Sequence, residues 1–155
     1  MSPFVEALEA AFGRDRVLKN APLAPFTTFK VGGPAELLIE TRTSDEIVQA
    51  VRLAHSAGVK VTMLGGGSNV LIADAGIRGL VIRAKGGEVT PIGDSLVRAD
   101  AAVTINGLVR WTTNRGYAGL EAWAGTPGTV GGAIFGNAHW KQTNIGDHVR
   151  SEEHT

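Results

Sequence analysis

An apolar strand runs directly into three glycines in the stretch Val59-Lys60-Val61-Thr62-Met63-Leu64-Gly65-Gly66-Gly67-Ser68-Asn69. Consecutive glycines allow successive backbone N–H groups to point into one concavity, which is a common anion-binding arrangement. Ser68 and Asn69 add side-chain donors. No lysine follows where a P-loop requires one, and no helical pattern follows at once as in a dinucleotide-binding fingerprint. The stretch therefore predicts either a loop that wraps a diphosphate without adding formal charge or a tight turn between strands.

The residues around this loop predict a unit in which strands and helices alternate. Ser2 and Pro3 are typical of a helix start, and Gly13 of its end. Thr43 and Glu46 have the spacing of a capping box at the start of a second helix, and Gly58 stands where a left-handed C-terminal cap is expected. Hydrophobic patterning predicts strands at 35–40, 59–64, 70–73 and 80–84. The first half is thus a βαβ-like unit with a glycine loop at a strand's carboxyl end.

The second half contains another glycine-rich stretch, Ala124–Ala133. A strand at Ser95–Asp100 and a helix capped by Thr104 are expected before it. Pro127 predicts the start of a short helix with free N-terminal amides. Close packing in a glycine-rich core would explain this stretch equally well. Taken together, however, two amide-rich loops could hold a long ligand, with phosphates at one and a planar group at the other.

Composition excludes several classes of protein. The 155 residues suffice for one domain or two small ones, and 43% are hydrophobic. Fifteen basic residues balance fifteen acidic ones, so neither a nucleic-acid nor a membrane partner is expected. Cysteine is absent, and no histidine pair has the spacing of a metal site. With no signal peptide and no apolar run of about 20 residues, the default location is cytoplasmic.

Four segments resemble, in order and spacing, the UDP-N-acetylenolpyruvoylglucosamine reductases: Phe26–Ala35, Leu64–Leu71, Gly119–Glu121 and Gly125–Ala133. These are FAD enzymes of peptidoglycan precursor synthesis. The resemblance extends from Phe26 to Val149. It implies an α+β fold, the two-subdomain FAD-binding fold of the vanillyl-alcohol-oxidase type, truncated before the substrate-binding domain. The expected subdomains are 1–84 and 85–149.

The resemblance also implies a set of cofactor-binding residues. The FAD diphosphate would be wrapped by Leu64, Gly65, Gly66, Gly67, Ser68, Asn69, Val70 and Leu71. The flavin would be lined by Thr126, Pro127, Gly128, Val130, Gly131 and Gly132, with Asn137 and Ile145 close by. The implied reaction is NADPH-dependent reduction of UDP-N-acetylenolpyruvoylglucosamine to UDP-N-acetylmuramate, in which reduced FAD passes hydride to the enolpyruvyl double bond.

No catalytic residue is expected within the chain. The resemblance places the family's proton-donating serine, its glutamate and its tyrosine–arginine pair downstream, so we expect no normal turnover from this polypeptide alone. The segment Arg150–Thr155 resembles the translation of a common sequencing adapter, and we expect it to be non-native. Two alternatives stay open: another flavin oxidoreductase, which as an oxidase would consume oxygen, and a flavin- or nucleotide-binding module without chemistry of its own.

The chain departs from the family pattern in two places. Residues 137–146 read Asn-Ala-His-Trp-Lys-Gln-Thr-Asn-Ile-Gly, whereas family members commonly continue Asn-Ala-Gly-Ala-Tyr-Gly. Asp100-Ala101-Ala102 stands where Gly-Ala-Gly is usual. The first departure affects the expected local flavin contacts and is consistent with a divergent branch of the family.

Overall fold

The computed structural model describes residues 2–152, which form two compact units. The first unit ends at Lys85 and the second begins at Gly86. Of the segment expected to be non-native, residues 153–155 lie outside the described residues. None of the helices in residues 2–152 combines the length and apolar content that a membrane span requires.

The first unit combines two helices with a four-stranded sheet. Helix α1 begins with Pro3 in its first turn, as predicted, and ends before Gly13, which has a φ of 91°. Gly58 has a φ of 64°, as its predicted capping role requires. In chain order the elements are α1 (Pro3–Phe12), β1 (Leu18–Pro22), β2 (Pro34–Thr41), α2 (Ser44–Ser56), β3 (Val61–Leu64) and β4 (Ile77–Ala84).

The sheet has the strand order β1-β2-β4-β3, with β1 antiparallel to β2 and the other pairs parallel. The central strands carry continuous apolar runs, Leu37-Leu38-Ile39 and Leu80-Val81-Ile82, all buried. Such runs are expected where both faces of a parallel sheet are covered. Side chains alternate between the faces, and two separate clusters show this: Leu37, Ile39, Leu80 and Ile82 pack with α1 and α2, whereas Leu38 and Val81 pack with the loops.

The first glycine-rich stretch, which follows β3, begins a crossover loop and is not a tight turn. Parallel neighbours need a connection of a dozen or more residues, and residues 65–76 provide it between β3 and β4 without a helix. Val70 and Ile72 pack on the Leu38–Val81 face of the sheet. The prediction of a strand at Val70–Ala73 is therefore wrong: the alternating pattern reflects a loop that lies on the sheet without joining it as a strand.

The predicted capping box of α2 forms only in part. Thr43 Oγ1 accepts a hydrogen bond from the Glu46 amide at 3.2 Å, as predicted. The Glu46 carboxylate does not return to Thr43; Oε2 accepts from the Arg42 amide at 2.7 Å, and both carboxylate oxygens accept from Arg16, at 2.7 and 2.8 Å. A tertiary ion pair thus replaces the local contact, and it ties the α1–β1 connection to α2.

This ion pair predicts a pH-dependent loss of stability in Glu46→Gln. The hydrogen bond from Arg16 holds the pKa of the Glu46 carboxyl below its usual 4.5. A lowered folded-state pKa contributes stability above the unfolded value, and that contribution is lost as pH falls through the folded value. We expect Glu46→Gln to reduce the free energy of unfolding by about 1 kcal/mol at pH 7, with the difference shrinking below pH 4.5. Urea titrations across this range, with the exposed Glu6→Gln as control, measure it; a difference independent of pH would contradict the expectation.

The second unit contains two hairpins and two helices around a small core. Thr104 caps α3, with Oγ1 accepting from the Gly107 amide at 3.0 Å, as predicted. Trp123 is 1% exposed and lies in the core with Ile105, Val130 and Ile145. In chain order the elements are β5 (Val89–Ile92), β6 (Leu96–Ala99), α3 (Ile105–Thr113), α4 (Val130–Phe135), β7 (His139–Trp140) and β8 (Thr143–Asn144).

The helix expected to start at Pro127 starts later. Helix α4 begins at Val130, and Thr129 caps it through a hydrogen bond from the Gly132 amide to Oγ1 at 3.3 Å. Gly128 has a φ of 107°, which is outside helical geometry. Pro127 therefore lies in the turn before the cap, where its fixed φ suits an extended or turn conformation equally well.

Candidate functional site

The crossover loop leaves the sheet at the carboxyl end of β3, immediately after the buried Leu64. Ligands of open α/β sheets commonly bind at this end of the strands. Within the loop Gly66, Asn69 and Leu71 are exposed, whereas Gly67 is buried. The loop therefore presents part of its backbone to solvent while it is anchored at Gly67.

This loop contains a run of adjacent backbone amides, residues 66–71, that have no hydrogen-bond partner among the described residues. In the described part of the chain, none of the backbone N–H groups of residues 66–71 donates a hydrogen bond, and neither do the side chains of Ser68 and Asn69. Backbone N–H groups are almost always paired in folded proteins, with water or a ligand where the protein offers no acceptor. A run of adjacent unpaired donors is suited to an anion with several acceptor oxygens.

Gly67 is needed for the fold of the crossover loop. Its φ is +66°, and a Cβ at this position would lie 2.0 Å from the carbonyl oxygen of Phe26. The Thr28 amide donates to the Gly67 carbonyl at 3.0 Å. The two interpretations of the glycine run, a tight turn and a loop that wraps a diphosphate, thus apply to different residues. Close packing requires Gly67, whereas Gly66 is exposed.

A second loop, residues 24–33, supports the crossover loop. Thr27 is 2% exposed, and its hydroxyl donates to the Val31 carbonyl at 2.8 Å, which closes this supporting loop on itself. The Gly33 amide donates to the Ala73 carbonyl at 3.1 Å. Together with the contact at Gly67, this bond fixes the crossover loop at two points and leaves residues 68–72 between them.

Two cations and one carboxylate lie at the carboxyl ends of β2 and β4. Glu40 forms ion pairs with Arg83 and, at 3.1 Å, with Lys85. Burial raises the pKa of the Glu40 carboxyl, but the hydrogen bonds from Arg83 and Lys85 outweigh it and hold the pKa below its usual value. The cluster therefore keeps one excess positive charge, which favours an anion nearby. Arg83 is the register partner of Leu64, where the crossover loop begins.

The second glycine-rich stretch differs from the expectation of free amides. The Gly125 amide donates to Asn106 Oδ1 at 2.7 Å, and the Thr126 amide donates to the Trp123 carbonyl at 3.1 Å. The amides of Val130 and Gly131 donate to Val103 and Ala101, each at 2.8 Å. This stretch is therefore held by residues 101–106, and the expected row of free donors is wrong for it.

The departure at Asp100 has a local explanation. Asp100 Oδ2 accepts a hydrogen bond from the Glu88 amide at 3.0 Å. Gly87 has a φ of +94°, and a Cβ there would lie 2.8 Å from Asp100 Cβ. A glycine at position 87 thus makes room for the aspartate. Ala101 is close enough to Gly131 that a Cβ on Gly131 would lie 2.7 Å from that of Ala101.

The divergent segment after α4 forms the short β7–β8 hairpin. Asn137 has a φ of 40°, and its Oδ1 accepts from the Gly146 amide at 3.3 Å, closing the base of the hairpin. Ile145 is buried in the core of the second unit, whereas Phe135 and Trp140 are 97% and 50% exposed.

The sixteen expected cofactor residues thus fall into two groups, one in each unit. In the first unit Leu64 ends β3, and Gly65–Leu71 lie in the crossover loop that follows it. Thr126–Gly132, Asn137 and Ile145 belong to the second unit, where Val130 and Ile145 contribute to the core. Sequence reasoning missed Phe26, Arg83 and Asn106 as supporting residues. Only Phe26 lay in a segment that the family resemblance had marked.

Comparison with known proteins identifies the class. The family described as the FAD binding domain matches residues 35–153, so the chain belongs to that family and FAD is its cofactor. A UDP-N-acetylenolpyruvoylglucosamine reductase from Rubrobacter xylanophilus is 48% identical over 120 residues, which cover 77% of this chain and 40% of that protein. The chain thus spans less than half the length of this curated relative.

Solved structures agree with the class. The reductase of the same name from Thermus caldophilus has a TM-score of 0.65 at 29% identity, covering 85% of this chain and 46% of that one. An alkyldihydroxyacetonephosphate synthase has a TM-score of 0.57 at 20% identity, covering 75% of this chain and 25% of that one, and is similar in fold alone. The expected α+β FAD-binding fold of the vanillyl-alcohol-oxidase type is confirmed.

The crossover loop fits the cofactor chemically. A diphosphate offers several acceptor oxygens, and the loop offers the unpaired donors of residues 66–71 beside a cluster with excess positive charge. The second stretch fits by its small side chains rather than by free donors, since most of its amides are paired within the protein.

Proposed function

We propose that residues 65–71 of the crossover loop bind the diphosphate of FAD. The observation that carries the proposal is the run of unpaired amides at residues 66–71, which follow a parallel strand at its carboxyl end. Ser68 and Asn69 would add hydroxyl and amide donors to the backbone groups. Most of the binding energy then comes from hydrogen bonds to fixed donors, with Arg83 and Lys85 adding a long-range attraction.

We infer that the flavin ring lies against the second glycine-rich stretch. Small residues at 126–132 leave room for a planar group, and the hydrogen bonds that amides of the stretch donate to residues 101–106 hold it rigid. Asn137 and Ile145 would border it through the β7–β8 segment. Binding by a rigid surface of small side chains limits the entropy lost on association.

For the whole enzyme we propose NADPH-dependent reduction of UDP-N-acetylenolpyruvoylglucosamine in peptidoglycan precursor synthesis, in the cytoplasm. The support is the name shared by the Rubrobacter xylanophilus and Thermus caldophilus relatives. Bound FAD supplies the hydride carrier for such a reaction. The residues of this chain would bind and orient the cofactor, while proton donation to the substrate would fall to residues outside it.

A visible absorption spectrum of the purified chain tests the binding proposal. We expect bands typical of protein-bound flavin, and chromatography after denaturation should identify the released compound as FAD rather than FMN or riboflavin. If the chain is isolated without flavin, the bands should stay with the folded protein after it is incubated with FAD and the free FAD is removed by gel filtration. A folded chain that retains no flavin absorption after this treatment would contradict the proposal.

A further inference from the structure

Arg83 lies at the centre of the sheet, beside the point where the crossover loop departs. Its Cα is paired with Glu40 on β2 and with Leu64 on β3. Side chains alternate along a strand, so Arg83 shares a face with Val81, which packs with the crossover loop. Arg83 therefore lies on the face of the sheet that the crossover loop covers, near the carboxyl end of the inner strand β4.

The Arg83 guanidinium holds the ring of Phe26. Its central carbon lies 4.5 Å from the ring centroid, and the side chain is only 23% exposed. Its Nη1 donates to Glu40 Oε1, so an ion pair also holds the guanidinium. A cation over an aromatic face is attracted by the ring quadrupole, and partial burial strengthens this attraction. Phe26 also packs against the cluster that contains Leu38.

The backbone of the same segment borders the crossover loop. The Phe26 carbonyl occupies the space in which a side chain at Gly67 would lie, and the Thr28 amide donates to the Gly67 carbonyl at 3.0 Å. Phe26 thus has its ring on Arg83 and its carbonyl against Gly67. A shift of the ring would move the backbone that defines the Gly67 turn.

We propose that Arg83 is a positioning residue for the crossover loop and acts through Phe26 without touching the ligand. The proposal rests on the proposed function of the crossover loop. Removing the guanidinium frees the Phe26 ring, loosens the Phe26–Thr28 backbone and disorders the Gly67 turn, so the amides of residues 66–71 lose their common orientation. Flavin affinity then falls although no contact with the cofactor has been removed.

Amide hydrogen exchange in the chain without flavin tests the positioning directly. In Arg83→Met the Thr28 amide, which donates to Gly67, should exchange roughly 2- to 30-fold faster, as expected for loss of one cation–π contact. Phe26→Leu should have a similar effect, and the double variant should add little to either single one. Phe26→Tyr keeps the ring and should exchange at the wild-type rate. Amides within α2 report global opening and separate it from the local effect.

Arg16→Met is the matched control. Arg16 is 21% exposed, forms an ion pair with Glu46 at 2.7 Å, and lies 5.7 Å from the centroid of the Phe12 ring. It therefore has the same chemistry as Arg83 but packs with the helices. Its loss should leave the exchange of Thr28, relative to α2, unchanged. Equal exchange of Thr28 in Arg83→Met and wild type, or equal acceleration in Arg16→Met, overturns the proposal.

FAD titration completes the test. The dissociation constant should rise in Arg83→Met, by at most the factor by which Thr28 exchange increases, and should be unchanged in Arg16→Met. Weaker binding with unchanged Thr28 exchange would indicate that Arg83 acts through its charge or by direct contact with the ligand, and it overturns a positioning role. If the wild-type chain binds no FAD, the proposed function fails, whereas the exchange measurement still decides whether Arg83 positions the loop.

Discussion

Gly67→Ala should abolish flavin binding and destabilise the first unit by at least about 2 kcal/mol. The added Cβ would lie 2.0 Å from the Phe26 carbonyl oxygen, so one backbone segment has to move. The φ of +66° adds the usual cost of a left-handed conformation for a residue with a side chain. Relaxation would separate the crossover loop from the supporting loop and remove the Thr28–Gly67 hydrogen bond.

Gly58→Ala is a close control for this prediction. Gly58 has a nearly identical φ of +64°, but nothing lies within 4 Å of a Cβ placed there. The free energy of unfolding of Gly58→Ala should therefore fall by only about 1 kcal/mol, the cost of a left-handed conformation for alanine, and the variant should bind FAD normally. Urea unfolding followed by far-UV circular dichroism, together with FAD titration, compares the two variants. Equal losses of stability, or normal FAD binding by Gly67→Ala, would show that the loop does not depend on this close approach.

Trp123→Ala should destabilise the second unit by about 3–5 kcal/mol, because it removes the largest fully buried side chain and leaves a cavity. The indole packs among side chains from both helices, α3 and α4, so both lose their common contact. Trp123→Phe should cost less. It keeps much of the packing and removes an indole N–H that is buried without a hydrogen-bond partner.

The tryptophans make this prediction easy to measure. All three, Trp111, Trp123 and Trp140, lie in the second unit, so fluorescence of the remaining two reports on that unit in either variant. We expect the fluorescence transition to move to much lower urea in Trp123→Ala. An unchanged midpoint would mean that the core of this unit is held by other contacts.

The sequence was most informative where local chemistry determines structure. The caps at Thr43 and Thr104, the helix start at Pro3 and the left-handed Gly58 each depend on neighbouring residues and were predicted correctly. The apolar runs of β2 and β4 identified the buried strands for the same reason. Strand β5 was missed because Thr90-Pro91 breaks the alternation, although proline is tolerated at a sheet edge.

The errors arose where distant residues compete for the same groups. Glu46 has the spacing for a capping box, but Arg16 and the Arg42 amide take its carboxylate. The amides of Val130 and Gly131 are paired with residues 101–103, which no local pattern could indicate. Arg83 escaped notice for the same reason, since its partners Phe26 and Glu40 are remote in sequence.

The most direct test of the diphosphate site is an NMR titration of the ¹⁵N-labelled chain with FAD, with riboflavin as the control. FAD and riboflavin share the flavin ring, but only FAD carries the diphosphate. We predict that FAD shifts the amide resonances of residues 66–71 and slows their hydrogen exchange, whereas riboflavin leaves them unchanged. If FAD leaves these amides unaffected, or if riboflavin shifts them equally, the crossover loop does not bind the diphosphate.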